Sequence, residues 1–161
     1  MPPERIQAAG EQLRTAFASG GAAQLTHPNV TSLTFDVTGR APTISAGALT
    51  QAQSEQGGAA LLTWLPAGEF QIAAVPGSAE GKVVIDRSRW RGKEIRGLTL
   101  VFRQGQLTGM TATSGLAPLQ ATYDAAGSGK DRFGGIDIGL NPEVGTSRSR
   151  AVRSCGRRLE L

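Results

Sequence analysis

Glycine breaks this chain so often that few architectures remain open to it. The 161 residues include 22 glycines, several in turn-like settings such as Ser19-Gly20-Gly21, Gly57-Gly58 and Pro76-Gly77-Ser78. Glycine in the middle of a helix or strand costs roughly 0.5–1 kcal/mol relative to alanine, whereas in a turn its conformational freedom is an advantage. A chain punctuated this way suits many short strands joined by turns better than a helical bundle. The hydrophobic fraction of 39% is enough for an ordinary core. The length favours a single domain.

Periodicity places the elements. Ile6, Ala9, Leu13, Ala16 and Phe17 follow helical spacing, so Pro3 to Ala18 is expected to be an amphipathic helix stopped by Gly20-Gly21. Leu25-Thr26 opens a strand that pauses at His27-Pro28-Asn29, and Leu33, Phe35 and Val37 alternate with polar residues in the next. Residues 40–60 read as a long loop with one short helix after Ser45. Beyond the apolar run Leu61 to Leu65, strands are expected at Phe70 to Val75, at Val83 to Ile85, and in a hairpin turning at Gln104-Gly105. Ser114 is a candidate N-cap for a helix through Leu119 and Tyr123, and Ile136, Ile138 and Leu140 alternate as a last strand. The expected fold class is α+β, mostly antiparallel or mixed sheet with two flanking helices. Residues 1–145 form that domain, and residues 146–161, Arg-rich and without apolar periodicity, form a disordered tail.

Charge and cysteine usage exclude several classes. Cys155 is the single cysteine, so no internal disulfide can form and a disulfide-built secreted scaffold is excluded. The start leads into no apolar signal region, and no apolar stretch is long enough for a membrane span, so a cytoplasmic protein without membrane partners is expected. The net charge of +4 resides in residues 148–161, where five arginines face Glu160 alone; the other 147 residues carry 12 basic and 12 acidic groups (17 − 5 and 13 − 1). Nucleic acid is therefore not the expected partner on global charge.

Individual residues carry further readings. Ala126-Gly127-Ser128-Gly129-Lys130-Asp131 holds a Gly-Lys pair but departs from the phosphate-binding loop at both Asp124 and Asp131. Arg87, Arg89, Arg91 and Lys93 alternate around Trp90; on one strand they would share a face that could contact phosphates. The simpler reading is a solvated strand or hairpin face with Asp86 and Glu94 as local partners. Together with the Arg-rich tail, the strip defines the alternative function, an anion-binding or nucleic-acid-binding β module. His27 is the only histidine and sits before Pro28 in a turn, and Cys155 has no histidine near it; neither reads as a catalytic centre. Glu69, after Pro66-Ala67-Gly68 and before a strand, would project from a constrained turn that Gly68 makes accessible.

The order of short motifs adds a resemblance. Leu65-Pro66-Ala67-Gly68-Glu69-Phe70, then Ala74-Val75-Pro76-Gly77-Ser78-Ala79-Glu80-Gly81, then Val83-Val84-Ile85-Asp86 is similar to the thermophilic metallo-aminopeptidase family, aminopeptidases S and T. Upstream, Thr31 to Phe35 followed by Gly39-Arg40, and downstream, Ile138-Gly139-Leu140-Asn141-Pro142, resemble further segments of the family. The resemblance implies a hydrolase that removes N-terminal residues from peptides with two divalent metals, such as zinc, cobalt or manganese. It also allows a homodimer for complete members. Glu69 matches the first metal-binding glutamate. The second falls at Gly135, two residues from Asp137, which would lie on the same strand face and stand in as a ligand. The histidine segments have no counterpart, so the resemblance implies an incomplete, inactive domain, a fragment whose end is replaced.

Overall fold

The computed structural model describes residues 1–61 and 67–143. The tail, Cys155 and most of the Leu61–Leu65 run therefore lie outside the described residues. The architecture is α+β. Three α-helices, α1 (Pro3–Phe17), α2 (Gln51–Gln56) and α3 (Ala117–Asp124), accompany eight strands. The strands are β1 (Ala22–His27), β2 (Thr31–Asp36), β3 (Thr43–Ser45), β4 (Glu69–Ala73), β5 (Glu80–Trp90), β6 (Lys93–Arg103), β7 (Gln106–Thr111) and β8 (Gly135–Gly139). They form a five-stranded sheet in the order β1-β2-β5-β6-β7 and a three-stranded sheet in the order β3-β4-β8, and every pairing is antiparallel.

The two longer helices stand close to where periodicity placed them. The third, α2, is the short one expected after Ser45, and Thr50 starts it with a reciprocal capping box to Gln53. Strand β3 lies within the stretch expected to be loop. With three residues it presents too little alternation to register.

One core joins the two sheets. Leu33, Phe35, Val83, Leu98, Leu100 and Phe102 come from the large sheet, and Ile44, Phe70 and Ile72 from the small one. Phe133, in the loop before β8, touches both Phe35 and Phe102, with ring centroids 5.3 and 5.2 Å apart. Helix α1 covers the apolar face of the small sheet: Phe17 stacks on Phe70 at 5.7 Å, and a Cβ added at Gly10 would lie 2.7 Å from Ile44 Cγ2. Only glycine lets the helix approach that closely.

The Pro76–Gly81 turn ties strands together. Ser78 Oγ accepts from Asp36 N at 3.0 Å and donates to Val75 O at 2.6 Å. Gln104 N donates to Glu80 Oε1 at 2.6 Å. The next turn, Gln104-Gly105, has positive φ at both residues, the two-residue hairpin expected there. Among the described residues, no helix is long and apolar enough to cross a membrane.

Candidate functional site

Strand β4 alternates Glu69, Gln71 and Ala73 with Phe70 and Ile72, so its polar side chains face away from α1. Register brings the neighbours into line. Ser45 pairs with Glu69, and Thr43 with Gln71; Glu69 pairs with Gly139, and Gln71 with Asp137. Directly paired residues share a face. Ser45, Glu69, Gln71 and Asp137 therefore sit together on the side of the small sheet opposite its apolar, α1-packed face.

Glu69 and Asp137 are diagonal neighbours in this ladder, a relation that sets side chains roughly 7–8 Å apart. Ser45 is 2% and Glu69 9% exposed. Glu69 is thus nearly buried and does not stand in an open cleft, while Asp137 is half-buried. All three residues are engaged in interactions of their own.

Gly68 fixes where Glu69 begins. Its φ is +108°. Its N–H donates to Ser45 O at 2.7 Å, and its carbonyl accepts from Leu140 N at 2.8 Å. A Cβ there would lie 2.6 Å from Asn141 Cβ and 3.0 Å from Asn141 N. The Gly-Glu dipeptide and the Asn141-Pro142 segment, far apart in sequence, are thus in contact.

Gly135, where the resemblance locates a second glutamate, is opposite Ala73. That is four residues along β8 from Gly139, the residue opposite Glu69, or roughly 13–14 Å at strand rise. A Cβ at Gly135 would stand 2.8 Å from Ala73 Cα, so this backbone admits no side chain there. Asp137 is closer to Glu69 than that aligned position and is the one carboxylate that β8 presents on this face.

Two carboxylates do not make a metal centre. Among the described residues, no three His, Cys, Asp or Glu side chains come together in a way that holds a metal. Structural and catalytic zinc sites take three or four protein ligands, so the described residues do not fit a resident zinc. His27 closes β1, in the other sheet, where its Nδ1 accepts from Asn29 N at 3.3 Å. Sequence reasoning missed Ser45 and Gln71 as members of this face. The polar-apolar alternation of Glu69-Phe70-Gln71-Ile72 was the available signal for Gln71; for Ser45 there was none beyond three residues.

The basic strip is not one strand face. Arg91 (φ +48°) and Gly92 (φ +77°) form a two-residue turn that folds the segment into the β5–β6 hairpin. Arg87 is opposite Arg96, and Arg89 opposite Glu94. Glu94 bridges the like charges, at 2.5 Å from Arg87 Nε and 2.6 Å from Arg96 Nη2. The Arg87 hydrogen bond holds the Glu94 carboxyl below its ordinary pKa. Asp86 accepts from Asn29 instead. Trp90 donates from Nε1 to Thr122 Oγ1 at 3.1 Å, tying the hairpin to α3. Glu94 is thus the partner expected for the hairpin reading, and Trp90 is a packing residue.

No protein-family model matches the chain, and no curated protein sequence matches it. A solved structure does: wild-type AmpT from Thermus thermophilus superposes with a TM-score of 0.59 over 83% of this chain at 17% identity. The chain spans about a third of that protein, covering 34% of its length. At this identity the likeness establishes a shared fold.

Proposed function

We propose that this chain is a metallo-aminopeptidase-like hydrolase domain that presents an incomplete donor set, with Glu69 and Asp137 as its contribution to a divalent metal and peptide N-termini as the substrate class of the complete enzyme. The observation that carries the reading is the convergence of these two carboxylates on one face of the small sheet, on the motif where the resemblance expects the first ligand. The likeness in fold to AmpT from Thermus thermophilus supports a peptidase-like fold. The single cysteine accords with a reducing, cytoplasmic setting.

In a complete site, Glu69 and Asp137 would be among the residues holding a divalent metal, which would supply Lewis-acid polarisation of a peptide carbonyl and a water of lowered pKa. The part of this chain is narrower: Glu69, anchored by Gly68 at the start of β4, and Asp137, diagonal to it, offer carboxylate oxygens. Carboxylates suit manganese or magnesium better than they suit zinc, and two of them leave most coordination positions to water. Titration calorimetry with manganese, cobalt and zinc tests this. Weak binding lost in both Glu69→Gln and Asp137→Asn, without metal-dependent release of amino-acid anilides, is the expected result. Binding that survives both substitutions would overturn the assignment, and so would no binding of any of the three metals.

A further inference from the structure

The β5–β6 hairpin gathers charge that the sequence spreads out. Direct pairing sets Arg87 opposite Arg96 and Arg89 opposite Glu94, and residues two apart on a strand share a face. Three arginines and one glutamate therefore occupy a single face at the turn end of the hairpin. The other face of the same segment is given to packing: Ser88 and Ile95 are buried, and Trp90 is tied to α3. The guanidinium groups stay in solvent, with the Arg87 and Arg96 side chains 63% and 58% exposed. Like charges directly opposite one another on a sheet are destabilising. This face keeps such a pair, with one carboxylate to serve both. Arg87, Arg89 and Arg96 against Glu94 leave a local charge of +2 (3 − 1).

The nearest other acids in sequence are turned to different partners: Asp86 accepts from Asn29, and Glu80 from Gln104. Outside the described residues, 62–66 carry no charge, and 144–161 carry five arginines against Glu160 alone. We infer that this face binds the phosphate backbone of duplex nucleic acid without reading its sequence. The planar fork of arginine suits phosphate oxygens. A long polyanion can neutralise the face and the arginines of 144–161 together, releasing counterions from its own backbone as it does so; a short acidic peptide cannot reach both. The four residues of the face include no aromatic side chain, so bases have nothing to stack on, and contact is limited to the backbone. A total charge near zero outside the last residues concealed the cluster, which only strand pairing assembles. The inference does not rest on the metal-site reading.

Fluorescence anisotropy of a labelled DNA duplex of about 20 base pairs, titrated with the full chain from about 50 mM salt upwards, tests this. Binding should weaken steeply with salt and be alike for A·T-rich and G·C-rich duplexes. Arg87→Gln, Arg89→Gln and Arg96→Gln should each weaken binding several-fold and lower the slope of log K against log salt by about 1. Glu94→Gln should act the other way and tighten binding several-fold, because it raises the local charge from +2 to +3 (3 − 0). A merely structural role for Glu94 would give no such gain. Arg14→Gln, at an exposed arginine on α1, should leave binding unchanged. The inference is overturned by a chain that does not bind the duplex at about 50 mM salt, by affinity indifferent to the three arginines, or by no tightening in Glu94→Gln. Polyglutamate of matched charge binding as tightly as the duplex, with the same response to the variants, would make the partner an acidic protein and overturn it equally.

Discussion

Replacing Gly68 with alanine tests the geometry that seats Glu69. Two costs combine at this position. A side chain at φ +108° adopts a sparsely populated backbone conformation, which costs about 1–3 kcal/mol. The new Cβ, 2.6 Å from Asn141 Cβ and 3.0 Å from Asn141 N, forces a backbone or side-chain shift worth another 1–3 kcal/mol or so. Alanine also lowers the entropy of the unfolded chain, recovering about 0.4–1 kcal/mol. The expected loss is therefore roughly 1–5 kcal/mol. Gly21 separates the two costs. It has a similar φ of +93°, and a Cβ there would meet nothing within 4 Å. Gly21→Ala should thus show the strain without the clash. In urea, where the slope for a small domain is about 1–3 kcal/mol/M, Gly68→Ala should unfold at a midpoint roughly 1 M below Gly21→Ala. Equal midpoints would refute the contact between Gly68 and Asn141, and with it the placement of Glu69 argued from that contact.

Val30 is the third residue of the Pro28–Val30 connection between β1 and β2. It has φ +63° and 63% exposure, a combination in which a β-branched residue is strained and buries little. Val30→Asn should raise stability by about 0.5–1 kcal/mol in chemical denaturation, and a loss of stability would contradict the assignment of strain. Tyr123 is the only tyrosine; partial burial, with its hydrogen bond to Asp131 second, pushes its pKa up to about 12. Ultraviolet titration should show phenolate forming near pH 12, and earlier in Asp131→Asn; a midpoint near the ordinary value of 10.0 would refute the contact. The Glu94 carboxyl is held low in the folded chain, so its contribution is present above the ordinary glutamate pKa of about 4.3 and is lost as pH falls through the depressed folded value. The acid limb of a stability–pH curve should therefore be shallower in Glu94→Gln, and identical limbs would argue against the Arg87–Glu94–Arg96 bridge.

Local chemistry was legible where it was local. Helix α1 announced itself through apolar spacing, and the Gln104-Gly105 turn through residue type. Strands β2 and β8 showed through alternation. The Arg91-Gly92 turn has the same chemistry as Gln104-Gly105, yet the alternating charges around it read equally well as one strand. Only pairing between distant segments decides that. Strand β3 is an extreme case, since Thr43 to Ser45 becomes a strand because β4 lies beside it. The site shows the same division. Gly68 and Glu69 could be read from the sequence, because a constrained glycine before a carboxylate is a local pattern. The relation of Glu69 to Asp137 came from the resemblance alone, because it depends on the register of β4 with β8, which no local pattern carries. That register also explains Gly135: the backbone of Ile72 and Ala73 fills the space a side chain would need.

Paramagnetic broadening by manganese tests most directly the proposal that Glu69 and Asp137 act as one donor pair. Carboxylates are suitable ligands for this ion, and broadening reports position without requiring turnover. In the isotope-labelled chain, substoichiometric manganese should broaden the amide signals of Glu69, Gln71, Asp137 and Gly139 first, and Glu69→Gln or Asp137→Asn should each remove that broadening. Broadening centred elsewhere and unaffected by either substitution would contradict the pair, as would a spectrum that manganese leaves unchanged.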